Sequence, residues 1–173
     1  CWVCLVLWLP AWNIALRLPC CAVRYLRAQS GKFGIDGSRI AVFGASAGGY
    51  LIAFAGTSNG DKLFDKGDYL DQSSNVQAVI DFYGLSDLQR VAEGYPNDIA
   101  EKHTSASATE AIWVNGTSVF NEGGPITHYP EIQKGIESTY YAVNNAQHDG
   151  DYWMQPQIMK IVIQFLDKHL KAE

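Results

Sequence analysis

The stretch RIAVFGASAGGY, residues Arg39–Tyr50, decides the fold of this chain. It begins with apolar residues at every position of Ile40–Phe43, a pattern typical of a strand that is buried on both faces of a parallel sheet. Small residues follow, and the apolar segment Tyr50–Ala55 then continues as a helix. The predicted order is therefore strand, tight turn and helix, with Ser46 in the turn.

Ser46 lies at the centre of the turn Gly44–Gly48, whose sequence is GASAG. A serine hydroxyl is a weak nucleophile unless a base takes its proton and hydrogen-bond donors meet the developing oxyanion. A sharp turn between strand and helix exposes the hydroxyl and aims the backbone N–H of Ala47 at the position of the negative charge. Gly44 and Gly48 are expected to let the neighbouring backbone approach without a Cβ clash. This context favours a nucleophile elbow over a glycine-rich turn without chemistry.

Length and composition are those of an ordinary globular protein. The chain has 173 residues, of which 47% are hydrophobic and 18% charged, and its formal net charge is −5. We expect a single domain over residues 1–173, with an atypical N-terminal stretch at 1–19. The acidic balance provides no basic surface, so no nucleic-acid partner is predicted.

The N-terminal part contains an apolar run and all four cysteines. The run Cys1–Trp12 is shorter than the roughly 20 apolar residues that span a bilayer, so no membrane partner is predicted. It lacks the basic start of a secretion signal, and the chain does not begin with Met; we interpret this end as cut or altered, with a core strand as the alternative. The cysteines are expected to be small buried hydrophobes rather than a metal site: Cys1, Cys4, Cys20 and Cys21.

Helical spacing predicts two helices outside the central stretch. In Cys20–Ala28 the apolar residues are predicted to face the sheet, with Arg24 and Arg27 on the opposite side. A closing helix is predicted to begin near Pro156, because proline is favoured at the first helical position. The apolar stripes comprise Cys21, Ala22, Tyr25 and Leu26 in the first helix, and Ile158, Ile161, Val162, Phe165 and Leu166 in the second.

Two more strands are predicted, at Val76–Gly84 and Ser138–Val143. Asp87 lies just past the carboxyl end of the first, where ligands and catalytic loops meet in open α/β sheets. The polar segment 56–74 is predicted to be a solvated surface loop, and 89–133 is largely polar around one apolar island, Ala111–Val114.

His148 is the candidate base among four histidines. His169 belongs to a polar C-terminal segment, and His103 and His128 lie in the uninformative middle of the chain. His148 instead follows a predicted strand and comes after Ser46, with room for sheet units between them. A loop past a strand end can bring such a histidine to the serine. The alternative interpretation of His148 is a loop histidine that makes ordinary hydrogen bonds.

Several segments together resemble the α/β-hydrolase superfamily, and within it bacterial feruloyl and acetylxylan esterases and the neighbouring hormone-sensitive-lipase-like esterases. The resemblance implies an α/β fold with a mostly parallel sheet flanked by helices, incomplete relative to the full family fold. It also implies carboxylic ester hydrolysis through an acyl-enzyme, with Ser46 as nucleophile and His148 as base. The segments are Tyr25–Ala28, Phe33–Asp36, Arg39–Val42, Gly44–Gly49, Asp81–Gly84 with Asp87, and Gln147–Gly150 with Trp153.

The sequence departs from the family pattern at two functional positions. Members carry a His-Gly-Gly loop before the serine, whereas no histidine precedes Ser46 here, so only the Ala47 N–H carries over as oxyanion donor. Val119 holds the place of the family's triad acid. Asp87 is the candidate substitute, with capping of loop N–H groups as its alternative role; Glu122 and Asp149 are weaker candidates.

The expected function is therefore hydrolysis of small acyl or aromatic esters, with plant polysaccharide esters as a candidate class and no cofactor or metal. The substrate partner is a small-molecule or carbohydrate ester. The alternative is a non-catalytic or fragmentary homologue that binds a ligand or partner through the old cleft.

Overall fold

The computed structural model describes residues 17–85, 87, 90–105, 107–110, 138–143, 148 and 150–171. In chain order its elements are helix α1 (Arg17–Ala28), helix α2 (Ser30–Phe33), strand β1 (Ala41–Ala45), helix α3 (Ala47–Thr57), a 3₁₀ turn (Lys62–Phe64), strand β2 (Ala78–Phe82), helix α4 (Asn97–Thr104), a second 3₁₀ turn (Asp151–Met154) and helix α5 (Pro156–Leu170). The central stretch is strand, turn and helix, as its sequence predicts.

Strands β1 and β2 pair in parallel, with Ala41 opposite Ala78 and Ala45 opposite Phe82. Parallel neighbours need a crossover connection, and here that connection contains α3. This arrangement confirms the predicted α/β fold class. Both strands end at the same edge of the sheet, and Ser46 follows directly there.

Helices cover both faces of the strand pair. Alternate residues of β2 pack against α5 on one face, whereas α1 and α3 pack on the other. The first cluster comprises Ala78, Ile80, Phe82, Ile158, Val162 and Leu166, and the second comprises Val23, Ile40, Val42, Ile52 and Val76.

Glycines let α3 lie close to the sheet. A Cβ added at Gly56 would collide with the side chain of Val79, and one at Gly49 would collide with the Asp81 carboxylate and lie 2.9 Å from the Cα of Gly84. The helix can therefore approach the strands only where it carries no side chain. This contact fixes the N-terminus of α3 against the carboxyl ends of the strands.

Helix α1 buries a charged residue that its periodicity places outside. Arg24 is fully buried, whereas Tyr25, predicted to face the core, is 39% exposed. The Arg24 guanidinium donates to Asp65 Oδ1 at 2.8 Å and to the carbonyls of Lys66 and Asp68 at 2.6 and 3.0 Å. A buried charge is tolerated when it is paired. Pairing with Asp65 therefore lets Arg24 face the interior, the reverse of its predicted orientation. Asp65 is correspondingly almost buried rather than solvated.

Helix α5 begins at Pro156, as predicted. It buries three residues of its apolar stripe and half-buries the other two. His169, expected at the surface, is half-buried, and its ring centroid lies 4.4 Å from that of Phe165.

The predicted strand at Ser138–Val143 is wrong, because these residues form no regular element. Tyr140 and Tyr141 are 93% and 52% exposed, and only Val143 in this segment packs against the core. A strand-like sequence needs a neighbouring strand to pair with, and exposed side chains here bury no face.

The predictions for 1–16 and 111–137, including Val119, Glu122 and His128, lie outside the described residues, as does Asp149. In the described part of the chain, no helix has both the length and the apolar character needed to cross a membrane.

Candidate active site

Ser46 occupies a strained backbone position between β1 and α3. Its φ and ψ are 54° and −125°, in a region that side chains rarely adopt. Its N–H donates to the carbonyl of Phe82 at 2.9 Å, and its own carbonyl accepts the N–H of Tyr50 at 3.1 Å. The sheet ladder thus extends to Ser46 before the chain turns sharply into the helix. Strain of this kind, about 1–3 kcal/mol, is often found at functional sites.

The Ser46 hydroxyl meets the imidazole of His148. Oγ and Nε2 are 2.7 Å apart, a hydrogen-bond distance across 102 residues of sequence. In the tautomer with the ring proton on Nδ1, Nε2 accepts the hydroxyl hydrogen. Ser46 is half-buried and His148 is exposed, so the pair is open to solvent and to a small substrate. The structure therefore brings together the two residues that the sequence proposes as nucleophile and base.

An aromatic cluster, Tyr83 with Trp153 and Phe82, lies beside His148. The ring centroids of Tyr83 and His148 are 4.9 Å apart at an interplanar angle of 63°, an edge-type contact. Trp153 packs against Tyr83 at 5.0 Å and against Phe82 at 5.7 Å. Tyr83 lies directly after β2, whereas its sequence predicts a place inside the strand Val76–Gly84, so its contact with His148 could not be expected from the pattern.

Ala47 is the first residue of α3, so its N–H belongs to the first turn, whose donors have no partner within the helix. This position suits an oxyanion donor, as predicted from sequence. The role itself stays a prediction.

Asp87 lies past the end of β2, as expected, and is half-buried. Its backbone carbonyl accepts the N–H of Arg90 at 3.1 Å. The hydrogen bond and charge of Glu93, and to a smaller extent the charge of Asp87, raise the pKa of Arg90 above its usual range. The action of Asp87 as the triad acid toward His148 stays a prediction.

Asp81 is a carboxylate at the site that sequence reasoning did not single out. It accepts the N–H of Gly84 at 2.9 Å, closing the turn after β2, and it lies against Gly49 in the first turn of α3. It therefore links the two backbone segments that carry Tyr83 and Ser46.

The other described histidines have different surroundings. His103 Nδ1 is 2.8 Å from Glu110 Oε1, and His169 packs against Phe165. Across the described ranges, no three His, Cys, Asp or Glu side chains cluster so as to hold a metal ion.

Residues 19–145 match the BD-FAE family. The chain belongs to the BD-FAE family. The match includes Ser46, both strands and α3, and it confirms the α/β-hydrolase-type resemblance.

Two curated relatives are similar to part of this BD-FAE chain. The probable carboxylic ester hydrolase LipM of Mycobacterium tuberculosis (strain ATCC 25618 / H37Rv) is 33% identical over 72 residues, which are 42% of this chain and 16% of LipM. Esterase LipC of the same organism is 39% identical over 68 residues, 39% of this chain and 17% of LipC. The chain thus matches about a sixth of the length of these relatives.

Solved esterase structures share the fold of this BD-FAE chain. A truncated form of a carbohydrate esterase from gut microbiota superposes with a TM-score of 0.69 at 23% identity, covering 89% of this chain and 67% of that one. The butyrate-bound esterase Est2 of Thermogutta terrifontis gives a TM-score of 0.60 at 18% identity, with 94% and 69% covered. Most of this chain therefore superposes on these two structures, and it spans about two thirds of the length of each.

Proposed function

We propose that this BD-FAE chain hydrolyses carboxylic esters through an acyl-enzyme on Ser46. One observation carries the proposal: a serine on a strained strand-to-helix turn has its Oγ 2.7 Å from a histidine nitrogen. A serine becomes nucleophilic when a neighbouring base takes its proton, and this pair has the required distance. The carboxylic ester hydrolase and esterase named among the relatives support the reaction class.

In the first half of the proposed reaction, Ser46 Oγ attacks the ester carbonyl while His148 Nε2 takes the hydroxyl proton. The carbonyl oxygen becomes negatively charged and is stabilised by the N–H of Ala47 at the start of α3. The tetrahedral intermediate collapses with cleavage of the bond to the alcohol oxygen. His148 returns its proton to the leaving alcohol, and the acyl group remains on Ser46.

In the second half, water takes the place of the alcohol. His148 accepts a proton from the water as it attacks the acyl carbonyl, and then donates that proton to Ser46 Oγ as the carboxylic acid leaves. Asp87 is proposed to hold the imidazole and to stabilise its charged form.

Small acyl or aromatic esters are the proposed substrates. His148 is exposed and Ser46 half-buried, so the pair is open to solvent; the Tyr83 ring contacts His148, and Trp153 packs against Tyr83. The resemblance to feruloyl and acetylxylan esterases makes feruloyl and acetyl groups on plant polysaccharides the candidates to assay first.

The test is labelling with a fluorophosphonate, which reacts with an activated serine, followed by intact-mass analysis. We expect one adduct on the parent chain and none on Ser46→Ala. Ser38→Ala is the matched control, because the Ser38 hydroxyl donates to an Asp36 carboxylate oxygen at 2.6 Å and, within the described residues, contacts no histidine. It should label like the parent and hydrolyse 4-nitrophenyl acetate at the parent rate.

Absence of an adduct on a folded parent chain would overturn the proposed activity. The ligand-binding alternative would then be tested by titrating methyl ferulate against the parent chain. An adduct that persists in Ser46→Ala would assign the reactivity to another residue.

A further inference from the structure

Ser46 and Tyr83 follow the ends of neighbouring strands at the same level, and both have a positive φ. Ala45 and Phe82, the last residues of β1 and β2, are partners in the parallel register. The residue after each has a positive φ, 54° for Ser46 and 46° for Tyr83. The Ser46 N–H still donates to the Phe82 carbonyl at 2.9 Å, so the two turns start from strand ends that remain joined.

A positive φ is unusual for a bulky residue such as Tyr83. Glycine adopts this conformation freely, and Gly84 follows directly in the same turn. A tyrosine at this position is therefore unfavourable for the backbone alone. Contacts of its ring must offset that cost.

The Tyr83 ring lies between Trp153 and His148. Its centroid is 5.0 Å from that of Trp153, which in turn packs against Phe82 in the core. Its centroid is also 4.9 Å from that of His148, whose Nε2 meets Ser46 Oγ. The core thus supports Trp153, Trp153 supports Tyr83, and Tyr83 contacts the imidazole.

His148 needs such support because it is exposed. The torsion that turns a histidine ring about its Cβ–Cγ bond is broad, so an unpacked imidazole samples many orientations. Edge-type aromatic contacts prefer defined geometries and restrict this rotation.

We propose that Tyr83 is a positioning residue, which holds the His148 ring in the orientation that places Nε2 at the Ser46 hydroxyl. Its kinetic consequence rests on the proposed ester hydrolysis; its effect on ring orientation does not. Misplacement of a reacting group by about 1 Å can cost about 100-fold in rate. We therefore expect loss of the Tyr83 ring to slow Ser46 acylation by about 10- to 100-fold.

The chain offers a matched control at Tyr69. This residue also has a positive φ, 56°, and its ring makes an edge-type contact with Tyr25 at 5.7 Å. Asparagine tolerates the left-handed conformation, so Tyr83→Asn and Tyr69→Asn each remove a ring without adding strain. Tyr83→Phe keeps the ring and removes only the hydroxyl.

The first measurement is the ¹⁵N spectrum of the histidine rings, with His148 assigned by its loss in His148→Asn. In the parent chain, Tyr83→Phe and Tyr69→Asn, we expect the His148 signals of one held tautomer whose Nε2 accepts the serine hydroxyl. In Tyr83→Asn, we expect these signals to move toward those of a free, averaging imidazole. The second measurement is the rate of fluorophosphonate labelling, which should fall only in Tyr83→Asn.

Unchanged His148 signals in a folded Tyr83→Asn chain would overturn the proposal, and so would an equal change in Tyr69→Asn. If Tyr83→Asn fails to fold, the nuclear Overhauser effect between the Tyr83 and His148 rings of the parent chain decides: its presence supports the contact and its absence overturns it. If the parent chain is not labelled at all, the proposed hydrolysis fails, while the ¹⁵N signals still decide the role of Tyr83.

Discussion

The backbone of Gly48 fills the space that a side chain at Gly44 would need. A Cβ added at Gly44 would overlap the carbonyl group of Gly48 and lie 2.9 Å from the N of Gly49. A Cβ added at Gly48 would meet nothing within 4 Å. The two glycines of the motif therefore have different roles: the expected avoidance of a Cβ clash is confirmed at Gly44 and is wrong at Gly48. Gly44 allows the turn to close, whereas Gly48 supplies the backbone that closes against it.

Gly44→Ala should destabilise the chain, while Gly48→Ala should not. Overpacking against backbone that cannot move aside costs about 1–3 kcal/mol, and here it would displace the turn that carries Ser46. Alanine at Gly48 lies in the first turn of α3, where it is about as good as glycine or better. Urea unfolding of the two variants measures the difference. Equal stability of both variants would contradict this account of the turn.

Features that depend on the local pattern of apolar and small residues could be predicted from the sequence. The strand, turn and helix around Ser46 follow from apolar runs and small residues. The choice of His148 rests in part on the predicted strand at Ser138–Val143, which is wrong, so only its place in the chain after Ser46 was informative. Arg24 and Tyr83 could not be predicted in this way. Arg24 is buried through a partner 41 residues away, and the Tyr83 ring acts through Trp153 and His148, so both depend on contacts that periodicity does not contain.

The candidate triad acid is tested by Asp87→Asn. The amide keeps the size of the side chain but cannot stabilise a charged imidazole, and loss of the acid lowers kcat by about 10,000-fold in a well-studied triad. We expect a loss of this order in hydrolysis of 4-nitrophenyl acetate, with KM little changed. Asp98→Asn, at an exposed position of α4, is the control and should retain parent activity. A rate for Asp87→Asn within about twofold of the parent would exclude Asp87 as the acid.

The buried pair of Arg24 and Asp65 should contribute more to the free energy of unfolding than the exposed pair of Arg39 and Asp36. Burial alone would raise the pKa of Asp65, but hydrogen bonds from Ser74 and Lys62 and the charges of Lys62 and Arg24 hold it below its usual range. Arg24→Met removes the guanidinium from this carboxylate and from the carbonyls of Lys66 and Asp68, while Lys62 still pairs with Asp65 at 3.0 Å. Leaving a buried charge with no partner costs about 3–5 kcal/mol, so with Lys62 in place we expect a loss of about 2 kcal/mol or more in the free energy of unfolding.

Arg39→Met is the matched comparison for Arg24→Met. The side chains of Arg39 and Asp36 are 40% and 43% exposed, and pairs of this kind contribute about 0–1 kcal/mol. Chemical unfolding of both variants at neutral pH gives the two values. A similar loss in both would show that burial does not govern the strength of the Arg24 contacts.

Cys20 should make the stability of the chain fall between pH 9 and pH 11. The thiol is 5% exposed, and burial, followed by the negative charge of Asp65, raises its pKa from 9.0 to about 11. In this range the unfolded chain has lost the thiol proton and the folded chain retains it, so rising pH favours unfolding. By pH 10 the free energy of unfolding should have dropped by about 1 kcal/mol through this group. Urea unfolding at pH 7 and pH 10 should show a smaller drop in Cys20→Ala than in the parent. Cys21→Ala leaves the Cys20 thiol in place and should keep most of the parent dependence, because Cys21 is only a minor cause of the raised pKa of Cys20. The same drop in all three chains would show that Cys20 ionises equally in the folded and unfolded states.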